Sequence, residues 1–360
     1  MRARLVGALA ICAVALCLPA TASAAPTVRV EGTQLVDGNG KVVRLLGVNR
    51  SGTEYACQGG YGFFDGPSSK RSIRFMKRWK INAVRLPLNE TCWLGINGIK
   101  PALAGDNYRQ TIQTYIQRLN NAGLYVIVDM HLAQPGDGQA HGIIPMPDAD
   151  HAPDFWRSVA TTFADNHSLL FDLYNEPHGD ISWDCWLNGC DVPSGGVGAF
   201  NEDHPPYHAA GMQELVDAVR STGATQPLML GGLEYSRDLS GWLAHRPVDP
   251  LGQLVASEHN YGKLAPCGGA CKKAILGVKQ QNPVVVGEVG ETDCKHRYID
   301  KWLPWADRHG LSYLGWTWDA VAPGSWTCAG GPSLIENYKG KPTPFGVGFR
   351  DHLLALAHHH

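Results

Sequence analysis

Short apolar runs, each followed by a stretch whose apolar residues recur at helical spacing, alternate along most of this chain. The runs read as strands over Val43–Val48, Ala83–Leu88, Tyr125–Met130, Leu169–Tyr174, Leu228–Gly232, Leu254–Ser257, Val284–Gly287 and Ser312–Trp316. Helical spacing follows over Ser72–Trp79, Tyr108–Asn120, Phe155–Ala164, His208–Arg220, Lys272–Lys279 and Ile299–Arg308, and more weakly over Leu239–His245. Such alternation favours parallel strands. Eight strand and helix pairs predict a closed TIM (β/α)8 barrel rather than an open doubly wound sheet. An open sheet of that kind usually carries a glycine-rich phosphate turn after its first strand, whereas here Gly47-Val48-Asn49 runs into Arg50. Ahead of the barrel, Val28–Val30 and Lys41–Val43 flank Asp37-Gly38-Asn39-Gly40, which predicts a β-hairpin closing one barrel end. The longest interruption, Asp180–Pro206, holds Trp183, Trp186, Cys185 and Cys190 and reads as a long loop.

The N-terminus has a different pattern. Arg2 and Arg4 precede an apolar run from Leu5 to Leu18, and Ala22-Ser23-Ala24 supplies small residues for cleavage, so residues 1–24 read as a signal peptide. The run is shorter than the roughly 20 apolar residues that span a bilayer. A secreted, extracellular domain over residues 25–357 is expected, monomeric and without a membrane partner, and His358–His360 read as a tail outside it. A formal net charge of −2 with scattered Lys and Arg argues against a nucleic-acid partner. Of the ten cysteines, Cys12 and Cys17 lie in the leader, and the other eight suit disulfides in an oxidising compartment. None of their spacings matches a zinc ribbon or finger.

In a barrel of this kind the site forms at the C-terminal ends of the strands. The polar and aromatic residues there are Arg85, His131, Asn175, Glu176, His259, Tyr261, Glu288, Trp316 and Trp318. Taken singly, Arg85 reads as an ion-pair partner, His131 as a core histidine and either Trp as packing. The two glutamates differ, because a carboxylate at the end of a buried strand is costly to desolvate without a task. Two carboxyls at one barrel mouth are what acetal hydrolysis requires: one gives a proton to the leaving oxygen, and the other attacks the anomeric carbon. No cofactor or metal is implied by that chemistry.

Asn175-Glu176-Pro177 on the fourth strand and Gly287-Glu288 on the seventh, with Arg85, His131 and the His259/Tyr261 pair in order, resemble glycoside hydrolase family 5, the cellulase-type branch of the barrel glycosidases. The resemblance covers nearly all of residues 25–357. It implies Glu176 as general acid/base, Glu288 as nucleophile, Asn175 on the sugar 2-hydroxyl, Arg85 and Tyr261 flanking Glu288, His131 and His259 holding sugar and carboxylates, and Trp316 or Trp318 as the stacking floor. The implied partner is an oligo- or polysaccharide. An endo-β-1,4-glucanase is the first expectation; an exo-acting β-glycosidase and a non-catalytic sugar-binding barrel are the alternatives. G-x-S-x-G and H-E-x-x-H, the signatures of two other hydrolase classes, do not occur. Asp180–Pro206 and Arg50–Pro67 are the segments expected to wall the groove. All eight cysteines follow strands rather than precede them, which places them on the catalytic face. The pairs expected there are Cys57–Cys92, Cys185–Cys190, Cys267–Cys271 and Cys294–Cys328.

Overall fold

The computed structural model describes residues 25–195, 203–262, 265–293, 295–320 and 332–358. Eight strands form its centre: β1 (Leu46–Asn49), β2 (Ala83–Asn89), β3 (Tyr125–Leu132), β4 (Leu169–Asp172), β5 (Leu228–Gly231), β6 (Leu254–Tyr261), β7 (Val284–Gly290) and β8 (Ser312–Gly315). Each pairs in parallel with its sequence neighbour, and β8 pairs with β1, so the sheet closes into a barrel. Helices α1 (Lys70–Arg78), α2 (Asp106–Asn121), α3 (Ala152–Thr162), α4 (Met212–Arg220), α5 (Gly269–Lys279), α6 (Ile299–Arg308) and α7 (Pro344–His358) accompany it.

The helices show why these segments fold as they do. In α2, Tyr108, Ile112, Tyr115, Ile116 and Leu119 recur every three or four residues and are all buried, one apolar stripe laid on the sheet. In α1 the Ser69 side chain accepts the Ser72 amide at the start, and Lys77 and Arg78 occupy the last turn, where they complement the negative end of the helix dipole.

The N-terminal hairpin turns elsewhere than the sequence suggests. Arg29–Glu31 pairs with Gln34–Val36 around Gly32, whose φ of 60° suits glycine, and the Asp37–Gly40 turn leads only to a single bridge between Val36 and Val42. A Gly/Asn turn signal marks a reversal but does not say which flanking run pairs with which. Val28, Val30 and Leu35 pack with Ala83, Tyr125 and Val255 from the N-terminal parts of β2, β3 and β6, closing that barrel end.

Four other expectations are displaced. The fourth helix starts at Met212, because Tyr207–Ala209 pairs instead with Cys190–Val192 in a two-stranded ribbon. Residues Leu239–His245 make isolated turns rather than a helix. Strands β6 and β7 run three or four residues further than expected, which carries His259, Tyr261 and Glu288 on strands instead of on loops. Strand β4 ends earlier, at Asp172, so Asn175 and Glu176 sit just beyond it.

Disulfides join Cys57 to Cys92, Cys185 to Cys190 and Cys267 to Cys271. The expected Cys294–Cys328 pair and the leader, residues 1–24, lie outside the described residues. No helix among the described residues is long and apolar enough to cross a membrane.

Candidate active site

Arg85 is the hub. It leaves β2 fully buried, its Nη1 donates to Glu288 Oε1 at 2.8 Å and to Asn49 Oδ1 at 3.1 Å, and its Nη2 donates to Asn175 Oδ1 at 2.9 Å. On the other side Nε donates to Asp172 Oδ2 at 2.9 Å, and Nη2 lies 3.0 Å from Asp129 Oδ1. Burial works against the guanidinium charge, but Asp129, Asp172 and Glu288 more than offset it and hold the group protonated. The planar fork is what allows one side chain to address five partners at once.

Glu288 is placed by a local irregularity. The pairing of β6 with β7 shifts after Glu258, so that His259 faces Glu288 across the sheet and Gly287 is bulged. A Cβ at position 287 would lie 2.8 Å from both His259 Nε2 and Ser257 Oγ, so a side chain there would push the imidazole out of place. Ser257, His259 and Tyr261 alternate along β6 and share its inner face. The Tyr261 hydroxyl donates to Glu288 Oε2 in a short bond.

Glu176 stands opposite in a different environment. His259 Nδ1 lies 2.9 Å from its Oε1, and it forms no ion pair with Lys or Arg among the described residues. Burial, only partly countered by the charge of Arg85, pushes its carboxyl from 4.5 up to about 7. One carboxylate oxygen of Glu176, one of Glu288 and a ring nitrogen of His259 all lie within 4.8 Å of one another. Burial also lowers His131 and His259 to about 4, so both rings are neutral around this site.

The remaining residues expected here separate into two groups. His131 Nδ1 lies 2.6 Å from Asp129 Oδ2, and its ring stacks on Trp316 with centroids 5.3 Å apart and planes 5° from parallel. Trp316 is partly exposed beside it. Trp318 is a correction: its ring is fully buried and packs edge-on against Trp79 at 4.9 Å, so it offers no face to a sugar. Alternate strand residues share a face only while the strand lasts, and β8 ends at Gly315.

Several residues were not legible as part of the site. Asn49 at the end of β1 donates through Nδ2 to Gly287 O at 2.9 Å, bracing the bulge, and Asp129 and Asp172 buttress Arg85. Asp129 and Asp172 did carry a signal, since each interrupts an apolar run in a strand buried on both faces. Glu234, Tyr235 and Ser236 all take positive φ, 56°, 59° and 60°, and Ser236 Oγ donates to the Asn175 carbonyl at 2.8 Å. Left-handed backbone at three consecutive non-glycine residues is strained and is held here under the Asn175-Glu176 turn. Tyr235 stacks on His178 with centroids 4.5 Å apart. The long loop after β4 turns its aromatics to the barrel wall: Trp186 is buried with Nε1 donating to Gly231 O, and Trp183 stacks on His245.

A closed parallel barrel with paired glutamates from its fourth and seventh strand ends defines the class of barrel glycoside hydrolases. The chain belongs to the cellulase family, glycosyl hydrolase family 5, whose family model matches residues 36–321. It is similar to an endoglucanase of Clostridium saccharobutylicum, 21% identical over 307 residues, which cover 83% of this chain and 57% of that one. The chain thus spans little more than half the length of that curated relative. Among solved structures, the β-glucanase SdGluc5_26A of Saccharophagus degradans superposes with a TM-score of 0.65 at 19% identity, over 93% of this chain and 94% of that one. A β-mannanase of Streptomyces thermolilacinus crystallised with mannohexaose gives 0.62 at 19% identity, over 90% and 94%. At such identities the likeness concerns the fold and leaves the sugar open.

Proposed function

We propose that this chain is an exported β-glycosidase acting with retention by double displacement, and that its activity is that of an endo-β-1,4-glucanase. The observation that carries the mechanism is the pair of carboxyls in contrasting surroundings. Glu288 accepts from a guanidinium and a phenol, whereas burial keeps Glu176 protonated up to about pH 7. Oxygens within 4.8 Å suit the separation of about 5–5.5 Å used for retention better than the wider gap of about 6.5–9.5 Å that accommodates water for inversion.

In this reading Glu176 gives its proton to the glycosidic oxygen while Glu288 attacks the anomeric carbon, so the C–O bond to the leaving sugar breaks and a glycosyl ester forms. Water then attacks that carbon, gives its proton to Glu176 and releases Glu288. Asn175, fixed by Arg85, serves the 2-hydroxyl, and Trp316 stacked on His131 serves as the floor. His259 and Tyr261 hold the two carboxyls in register.

The endo reading is supported by the curated relatives, which carry the name endoglucanase, and by Trp183 and Trp186 lying on the barrel wall instead of across the mouth. The exo-acting alternative is favoured by one observation. The segment after β1 is tied down at the mouth by Cys57–Cys92 and by Asp65, which accepts from Arg50 and Tyr55, and so bounds that side. Export is supported by the leader pattern and the three disulfides, and we take the domain to act as a monomer. Product analysis on β-glucans, mannan, xylan and aryl glycosides tests the whole reading. A spread of oligosaccharides from β-1,4-glucan with the β-anomer released first is expected; a single short product would favour the exo reading. An absence of turnover, with sugar binding unchanged in Glu176→Gln and Glu288→Gln, would leave only a binding barrel.

A further inference from the structure

The basic residues are less evenly spread than the whole-chain charge suggests. Residues 70–80 hold six of the 31 Lys and Arg, namely Lys70, Arg71, Arg74, Lys77, Arg78 and Lys80, and no acid, which leaves 25 against 33 acids for the rest of the chain. All six are exposed, five of them on α1, and none forms an ion pair with a described residue. The neighbouring acids are engaged elsewhere. Asp106, the one acid of α2, pairs with Arg109, and Glu336 pairs with Lys341 on the segment ahead of α7, whose Gly340 comes against Phe75 of α1.

This arrangement costs the helix stability. Lys70 and Arg71 stand in the first turn, where the positive end of the helix dipole opposes them and no acid is present. Arg74 has like charges three or four residues away on both sides, at Lys70, Arg71, Lys77 and Arg78, and no Asp or Glu offsets them. Such repulsion brings the fold nothing, and an external anion would relieve it.

A second feature adjoins this face. Between the start of α1 and α2 lies a hollow lined by Ser68, Gln110, Thr111, Thr114 and Arg118. Lys70, Arg74 and Lys77 recur at i, i+4 and i+7 and form the row on that side, since Lys77 Nζ donates to the Ala122 carbonyl just after α2, at 2.9 Å. Arg118 Nη1 reaches across to donate to the Ser68 carbonyl at 3.1 Å. Hydroxyls, an amide and a guanidinium beside a row of cations offer partners to both the hydroxyls and the carboxylates of a uronic-acid polymer. Single-stranded nucleic acid would want rings on which to stack its bases. No aromatic side chain of α1 or α2 is exposed, and Phe75 lies half-buried under the Arg78 guanidinium, 5.0 Å from the ring centre.

We propose that the outer face of α1 and the hollow beside it form a non-catalytic binding surface for an acidic, uronate-bearing polysaccharide, which holds the enzyme on glycan material while the barrel mouth cuts neutral chains within it. The surface lies on the flank of the barrel, so binding there leaves the mouth open. The choice of a polysaccharide rests on the glycosidase reading, whereas the anion-binding character of the face does not.

The test is binding of the full chain to immobilised polygalacturonate, whose α-linkages give a β-glycosidase nothing to cut, at low ionic strength and again at about 1 M salt, where the screening length is about 3 Å. Binding at low salt and at least a tenfold loss at high salt are expected. Lys70→Gln/Arg71→Gln/Arg74→Gln should weaken binding at least tenfold, with an unchanged or raised Tm and unchanged turnover of soluble cello-oligosaccharides. Lys273→Gln/Lys295→Gln/Lys301→Gln removes the same charge from exposed positions on and beside α5 and α6, and should bind as the parent does. The proposal is overturned by a parent chain that does not bind, by equal losses in the two triple variants, or by a loss matched by a lowered Tm. Polyglutamate or duplex DNA held as tightly at the same salt would overturn the choice of a polysaccharide. Because binding is read without turnover, a chain inactive on β-glucan would count against the glycosidase reading and leave the result for this face standing.

Discussion

Replacing Glu176 by Gln removes one proton donor and changes the side chain by little else, so it isolates the acid/base role. Burial raises this carboxyl from 4.5 to about 7. A rise of that size corresponds to about 3 kcal/mol of preference for the neutral acid. At pH 6 most molecules therefore hold the proton, whereas an unperturbed carboxyl would hold it in only a few per cent. The sign follows: the proton is present below about pH 7 and is lost as the pH rises through that value, so kcat/KM of the parent chain falls on the alkaline side. In Glu176→Gln that limb disappears. The loss of rate on unactivated β-glucan should be about 10²- to 10⁴-fold, the usual worth of a positioned general acid. An aryl glycoside whose phenolate leaves unaided should lose much less in the first step, and azide should restore turnover of the trapped glycosyl ester. The assay is kcat/KM against pH on both substrates, with melting temperature as the control for folding. Equal losses on the two substrates, or an alkaline limb near pH 7 that survives the substitution, would refute the assignment.

Tyr261→Phe deletes one hydrogen bond to a carboxylate, worth about 1.5–3 kcal/mol, so kcat/KM should fall about 10- to 100-fold with the fold intact; a change under twofold contradicts the role given to the phenol. Trp316→Ala and Trp318→Ala should separate, the first weakening substrate use at unchanged Tm and the second costing about 3–5 kcal/mol of stability, measured by denaturant titration, with kcat kept. Gly287→Ala should lower activity without touching a sugar, because its methyl displaces His259; a variant as active as the parent would mean that the bulge tolerates a side chain. Burial lifts Glu258 from 4.5 to about 8, so between those values the folded chain keeps a proton that the unfolded chain releases, and stability falls as the pH rises. Glu258→Gln should flatten that decline, which thermal melts from pH 5 to pH 8 will show.

The local pattern determined the architecture because a parallel barrel strand is buried on both faces and shows itself as an unbroken apolar run. Each of the eight runs named in the sequence overlaps a barrel strand, with ends displaced by a few residues. Glu176 and Glu288 were legible for the same reason, a charge next to such a run being too costly to place there idly. What the sequence did not show is everything that depends on closure. The convergence of Asn49, Asp129 and Asp172 on Arg85 joins four strands, and no spacing along the chain encodes which inward-facing groups will meet. The choice between Trp316 and Trp318 rests on where β8 ends, and that is set by packing against Trp79 and His131. The bulge at Gly287 exists only as a register shift between two paired strands. Hydrophobic burial is local enough to be written in each segment, whereas the approach of charges separated by up to some two hundred residues becomes definite only when the ring closes.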